Sequence, residues 1–108
     1  MEPQVIVGEL QELIETGRKG SEALYEAEMA LARRELELDK TEAAAFLQSE
    51  GNVAERQANA KLAASECRFQ RDVAKAQVNR VRAKMKSIEA ELMAQATIAK
   101  MVQAEMRL

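Results

Sequence analysis

Along the first half of the chain, apolar or small residues return at alternating spacings of four and three. They are Ile6, Leu10, Leu13, Gly17, Gly20, Leu24, Ala27, Leu31, Leu38, Thr41 and Ala45, with Arg34 the one exception in phase. That recurrence is a heptad seam and predicts a long amphipathic helix with a partner lying along it. A second row, Tyr25, Met29, Ala32, Leu36, Ala43 and Phe46, flanks the seam and widens the apolar face beyond what one partner helix covers. In the second half, Leu62, Phe69, Val73 and Ala76 define one stripe, while Val78, Val81, Met85, Ile88, Leu92, Ala99, Val102 and Met106 define a heptad seam on another face. The change of face near residues 76–78 predicts either a shift of supercoil register or a far part that also meets a second molecule.

Between these halves lies Ser49-Glu50-Gly51-Asn52. Gly51 can end a helix in the left-handed conformation, and Asn52 followed three residues on by Glu55 is an N-capping pair for the next. Pro3 suits a first helical turn, where its missing N–H has no partner to lose. The pattern therefore predicts helix one over about residues 3–49, a turn over 50–52 and helix two over about 53–107. Thr16-Gly17-Arg18-Lys19-Gly20-Ser21 has two readings. It is either a loop with Ser21 capping a separate helix, or a stretch of one helix whose glycines let another helix come close. The seam keeps its phase across both glycines, which favours the continuous helix. From Val53 onward there is no Gly or Pro, so helix two reads as a rod of roughly 80 Å at 1.5 Å per residue.

Composition agrees with long helices. The 108 residues are 47% hydrophobic, with only Tyr25, Phe46 and Phe69 aromatic, one Pro and four Gly, which implies a single hairpin domain over 1–108 with a thin core. Charge adds an asymmetry that the net value of −2 hides. Residues 1–52 hold 12 acids and 5 bases, and 53–108 hold 6 acids and 11 bases, so the halves carry −7 and +5. If the chain folds back at 51–52, positions whose numbers sum to about 103 lie side by side. Glu42 then meets Lys61, Glu35 meets Arg68 and Glu28 meets Lys75, three opposite-charge pairs at heptad spacing. That matching stops at Lys75. The basic cluster beyond it, Arg80, Arg82, Lys84 and Lys86, is the one hint of an anionic ligand and the candidate nucleic-acid contact. The scarcity of aromatic stacking platforms and a sequence pI near 5.3 argue against a dedicated nucleic-acid binder.

Catalytic chemistry finds little to work with. There is no His and one Cys, Cys67, so an internal disulfide and the usual His/Cys metal sites are excluded, and Cys67 reads as a small packed residue. The acidic row Glu28, Glu35, Asp39 and Glu42 lacks the Glu-x-x-His pairs of a di-metal bundle and reads as a solvated or ion-paired face. Gly17-Arg18-Lys19-Gly20 lacks the spacing of a phosphate loop. No catalytic residue, metal site or cofactor is expected, and the chain reads as no enzyme. The early apolar run Val5-Ile6-Val7 is too short for a signal segment or a membrane span, which points to the cytoplasm.

Entered from an acidic helix and leading into a basic one, Gly51-Asn52-Val53-Ala54-Glu55-Arg56-Gln57-Ala58 resembles the midpoint of small uncharacterised helical-hairpin, coiled-coil proteins of tailed bacteriophages and prophages. The resemblance covers the overall plan and these eight residues. It implies a phage or prophage product in the bacterial host cytoplasm, and no functional residues to carry over.

The expectation is thus an all-α, antiparallel two-helix hairpin that dimerises into a four-helix bundle or a longer coiled-coil assembly. Its interface candidates are Tyr25, Met29 and Leu36 with Val81, Met85, Ile88 and Leu92. Two functions are in view. One is a non-enzymatic interaction protein, a scaffold, adaptor or inhibitor of a macromolecular partner. The other is a nucleic-acid-binding accessory factor for phage DNA recombination or replication.

Overall fold

A computed structural model describes residues 2–107, which form three helices and no strand: α1 (Pro3–Gln48), α2 (Val53–Ala63) and α3 (Ser65–Arg107). No helix among the described residues is long and apolar enough to cross a membrane. The chain divides into two compact units. One pairs α1 as far as Leu24 with α3 from Arg80, and the other is Tyr25–Asn79, which contains the turn.

α1 runs without interruption through Gly17 and Gly20, so the loop reading of that stretch is discarded. Its buried positions are Ile6, Ala27 and Leu38. Leu10, Leu13, Gly17, Gly20, Leu24, Leu31, Arg34, Thr41 and Ala45 are half-buried at the intervening seam positions. In the first unit a Cβ built on Gly17 would lie 3.9 Å from Ile88 Cγ2, and one on Gly20 would lie 3.3 Å from Met85 Cγ. Facing numbers here sum to 105, 17 with 88 and 20 with 85. The close approach expected of the glycines is therefore made to α3 of the same chain. Gly17→Ala is expected to raise stability by about 1 kcal/mol, since it gains helix propensity and meets only ordinary contact. Gly20→Ala should gain less, because Met85 must give way. Urea unfolding of the two variants checks this ranking, and a loss of stability in Gly17→Ala would contradict the packing.

The turn is built much as its residues require. Gly51 has a φ of +108°, a backbone that side chains with a Cβ rarely adopt. Asn52 Oδ1 accepts from the Glu55 N–H at 2.9 Å, which caps the start of α2, and Asn52 Nδ2 donates to Glu55 Oε1 at 3.0 Å, a side-chain link that holds the two together. Helix α1 stops at Gln48, earlier than expected, and Ser49 Oγ donates to the Ala45 carbonyl at 2.6 Å. From across the turn, Arg56 Nε donates to the Phe46 carbonyl at 3.2 Å while its guanidinium lies 4.7 Å above the Phe46 ring. A cation thus sits at the negative end of α1 and on an aromatic face together.

Three expectations for the second half need correction. First, it is not one uninterrupted rod: α2 ends at Ala63 and α3 begins at Ser65. Ala64 between them is wholly buried, with φ −93° and ψ 7°. Arg68 Nη1 donates to the Lys61 carbonyl at 3.4 Å beside this break. The ladder continues on both sides, from the Ala64 N–H to the Ala60 carbonyl at 3.0 Å and from the Arg68 N–H to the Ala64 carbonyl at 2.9 Å, so the interruption is confined to one residue and needs no Gly or Pro.

Second, the buried face does not change near 76–78. Ala60, Ala64, Val78 and Ile88 are buried, and Cys67, Arg71, Ala74, Val81, Met85, Leu92, Gln95, Ala99 and Val102 are half-buried, in unbroken four-three spacing. The stripe of Leu62, Phe69, Val73 and Ala76 faces outward. Size had suggested those large residues were the inward ones, whereas small residues hold the seam there and let the helices approach.

Third, the charge pairing is displaced. In the second unit Arg68 Nη2 meets Glu42 Oε1 at 2.7 Å, where Glu42 had been matched with Lys61 and Arg68 with Glu35. Helical Cα–Cβ bonds tilt toward the helix N-terminus. In an antiparallel pair, flanking side chains converge only when each lies on the C-terminal side of the level it shares with the other. The pair 42 and 68 satisfies this, and 42 and 61 do not. At about one-third exposure the bridge contributes on the order of 0.2–1 kcal/mol.

Candidate functional site

The interface candidates separate into two groups. Ile88 is buried and Val81, Met85 and Leu92 are half-buried in the α3 seam, and Met85 and Ile88 face the two α1 glycines. Met85 and Ile88 thus serve the chain's own helix pairing, and Val81 and Leu92 share that seam, each still half-open. Tyr25, Met29 and Leu36 stay on the surface at 66%, 39% and 54% exposure. They stand on the side of α1 away from its seam, which corrects the expectation that they flank it and widen its face, and one or two helical turns apart they form an apolar row of their own.

The other surface row was present in the sequence but assigned to the wrong face. Leu62, Phe69 and Val73 are 75%, 60% and 51% exposed, and they lie opposite the small-residue seam of α2 and α3. Phase was the signal that could have found it: Ala60, Ala64, Cys67 and Ala74 keep step with Val78, Val81 and Met85, whereas Leu62 and Phe69 do not. In the second unit, then, each side of the helix pair carries large apolar side chains facing outward. Scattered exposed apolar residues are ordinary on proteins, but rows at helical spacing are the pattern of binding faces.

A shallow groove of about 600 Å³ lies near the turn, lined by Asp39, Glu42, Ala43, Phe46, Leu47, Gln57, Ala60 and Lys61. It holds both signs of charge beside apolar side chains, and Glu42 at its wall is already engaged by Arg68.

Arg80, Arg82, Lys84 and Lys86 are all exposed, yet they do not make one patch. At 100° per residue, Arg80 and Lys84 fall on one flank of the seam and Arg82 and Lys86 on the other, with inward-facing Val81 and Met85 between them. Arg82 also has an interaction within the protein. Each flank therefore offers two cations, half the local charge that the linear run suggested.

Cys67 sits half-buried in the seam with its Sγ 3.5 Å from Thr41 Oγ1. Among the described residues no three His, Cys, Asp or Glu side chains gather where they could hold a metal ion. Compared with protein-family models, curated proteins and solved structures, the chain matches none.

Proposed function

We propose that this protein works without chemistry, as a helical interaction protein that associates through the outward apolar rows of its helices. The observation that supports this most is the pair of rows, Tyr25, Met29 and Leu36 on α1 and Leu62, Phe69 and Val73 on α2 and α3, left exposed after the chain's own seam is filled. Burying such side chains is worth about 25 cal/mol per Å² of apolar surface, so a partner that covers both rows is favoured. Self-association, from a dimer and its four-helix bundle upward, is the simplest form of this. On the phage resemblance, the proposed setting is the cytoplasm of a bacterial host.

Tyr25 is the only Tyr and the chain has no Trp, so intrinsic fluorescence reports on the α1 row alone. Acrylamide quenching of Tyr25 is expected to fall as protein concentration rises and the row is covered. Unchanged quenching, with the mass of a single chain throughout, would sink self-association through this row. The nucleic-acid reading rests on the exposed cations at 80–86. It would displace the first if the protein bound labelled DNA with an affinity that falls steeply with salt while Tyr25 stayed open.

A further inference from the structure

We infer that two copies of this chain can exchange helices, α1 of one pairing with α2 and α3 of the other, and that Gly51 is the residue that keeps the chain closed on itself. The exchange uses the inward seam and leaves the outward rows open, so it goes beyond the association proposed above and does not depend on it.

What joins α1 to the other two helices is the same whether they belong to one chain or to two. In the first unit it is the approach of Gly17 to Ile88 and of Gly20 to Met85. In the second it is the Thr41–Cys67 contact and the Glu42–Arg68 ion pair. Around the turn, among the described residues, the hydrogen bonds of each helix end are local. Ser49 N–H donates back to the carbonyls of Ala45 and Phe46, and Ser49 Oγ to that of Ala45. Asn52 bonds forward, its side chain to Glu55 and its carbonyl to the Arg56 N–H. Each helix therefore keeps its own cap in either form. The bond from Arg56 Nε to the Phe46 carbonyl crosses the turn, but it joins α2 to α1 and is remade with the α1 of a second copy.

The two forms differ in the path of residues 49–52. Fully extended, four residues reach roughly 14 Å, beyond the 8–10 Å between the axes of packed helices. They are thus long enough to return within the chain or to cross to another. Returning requires the φ of +108° at Gly51. A Cβ there would run into Glu55 Oε2 and stand 3.3 Å from Glu55 Cβ, which α2 holds in place. Crossing sets no such demand on this residue. Closure within one chain gains from its high effective concentration, so the wild type stays closed when dilute. Short connections that cannot close without strain are where exchange of identical elements begins.

Gly51→Val is the test, because a β-branched side chain tolerates that φ least. The Thr41–Cys67 contact reports which chain supplies which helix. Thr41→Cys sets a thiol beside Cys67 Sγ, and mild oxidation of this protein with Gly51 kept is expected to link the two within one chain, giving a one-chain band on a non-reducing denaturing gel. With Gly51→Val added, sedimentation is expected to show two chains at concentrations where the parent shows one, and the oxidised product should run as two linked chains. Gly17→Cys with Ile88→Cys in a Cys67→Ser chain gives the same reading in the first unit. Tyr25 should be as open to acrylamide in the two-chain species as in the single chain. A Gly51→Val protein that remains a single chain overturns the exchange. So does one that pairs while its thiols link within each chain, and if Tyr25 is then covered the outward rows are the contact instead. Gly51→Asn, which tolerates left-handed backbone, is expected to stay closed, and two linked chains there would remove Gly51 from its role. Circular dichroism checks helix content first. Should Gly51→Val lose helix, Gly51→Ala takes its place with the same outcomes read.

Discussion

Leu38→Ala is expected to lower the unfolding free energy by about 2–4 kcal/mol, whereas Phe69→Ala, which removes a larger side chain, should change it by no more than about 0.5 kcal/mol. Leu38 is 6% exposed and Phe69 60%. Leu38 lies one seam step from Thr41, whose Oγ1 is 3.5 Å from Cys67 Sγ, and the small side chains of the facing seam, Ala60, Ala64 and Cys67, have little bulk with which to fill the space a lost isobutyl group leaves. Phe69 gives up little buried surface, and alanine improves the local helix. Urea unfolding at concentrations where the protein is a single chain is the check. Similar losses in the two variants would mean that the Phe69 stripe is packed against α1 after all.

The other large effect lies one layer along. Arg34 of α1 and Arg71 of α3 each hold a half-buried seam position in the second unit, and four-three spacing counted from the Thr41–Cys67 contact sets them on the same or adjoining levels, the charged residues of a seam otherwise uncharged. Each finds an acid on its own helix: Arg34 Nη1 is 3.1 Å from Glu37 Oε2, and Arg71 Nε is 2.8 Å from Asp72 Oδ1. Their side chains remain 43% and 31% exposed, so the guanidiniums lean out to water while their stems cover the seam. Ion pairs this exposed contribute little, and both side chains occupy seam positions that an apolar side chain would fill without a charge to keep in water. Replacing both arginines with leucine is expected to raise stability by about 1–3 kcal/mol, less than full burial of two leucines because the layer is partly open. A rise in the urea midpoint with an unchanged slope would confirm it. A drop would show that the arginine stems cover the seam better than leucine does.

Much of the helix plan was legible because it depends on local rules. The Asn52–Glu55 cap, the positive φ of Gly51 and the α1 seam from Ile6 to Ala45 each follow from a few neighbouring residues, and the heptad phase carried α1 correctly through Gly17 and Gly20. The second helical half was harder because size and phase disagreed. Leu62, Phe69 and Val73 are the largest apolar residues in their stretch, but Ala60, Ala64, Cys67 and Ala74 are the ones in step with the downstream seam. Nothing local ranks those two signals. They were ranked by the neighbouring helix, which packs closest against small residues.

The candidate site divides along the same line. That Tyr25, Met29 and Leu36 form a row is a property of 3.6 residues per turn and could be read directly. Whether Val81 to Leu92 belonged to an interface or to the chain's own seam depended on where α1 lies. The partner of Arg68 depended on the tilt of two side chains from facing helices, and the interruption at Ala64, beside the Arg68 bond to the Lys61 carbonyl, has no local signal in Gly or Pro. Heptad spacing and capping chemistry were thus enough to specify helices, turn and the face of α1. Which stripe of α2 and α3 turns inward, and hence which is left exposed, was settled by packing between residues distant in the chain, because burial is a property of the pair of helices and not of either one.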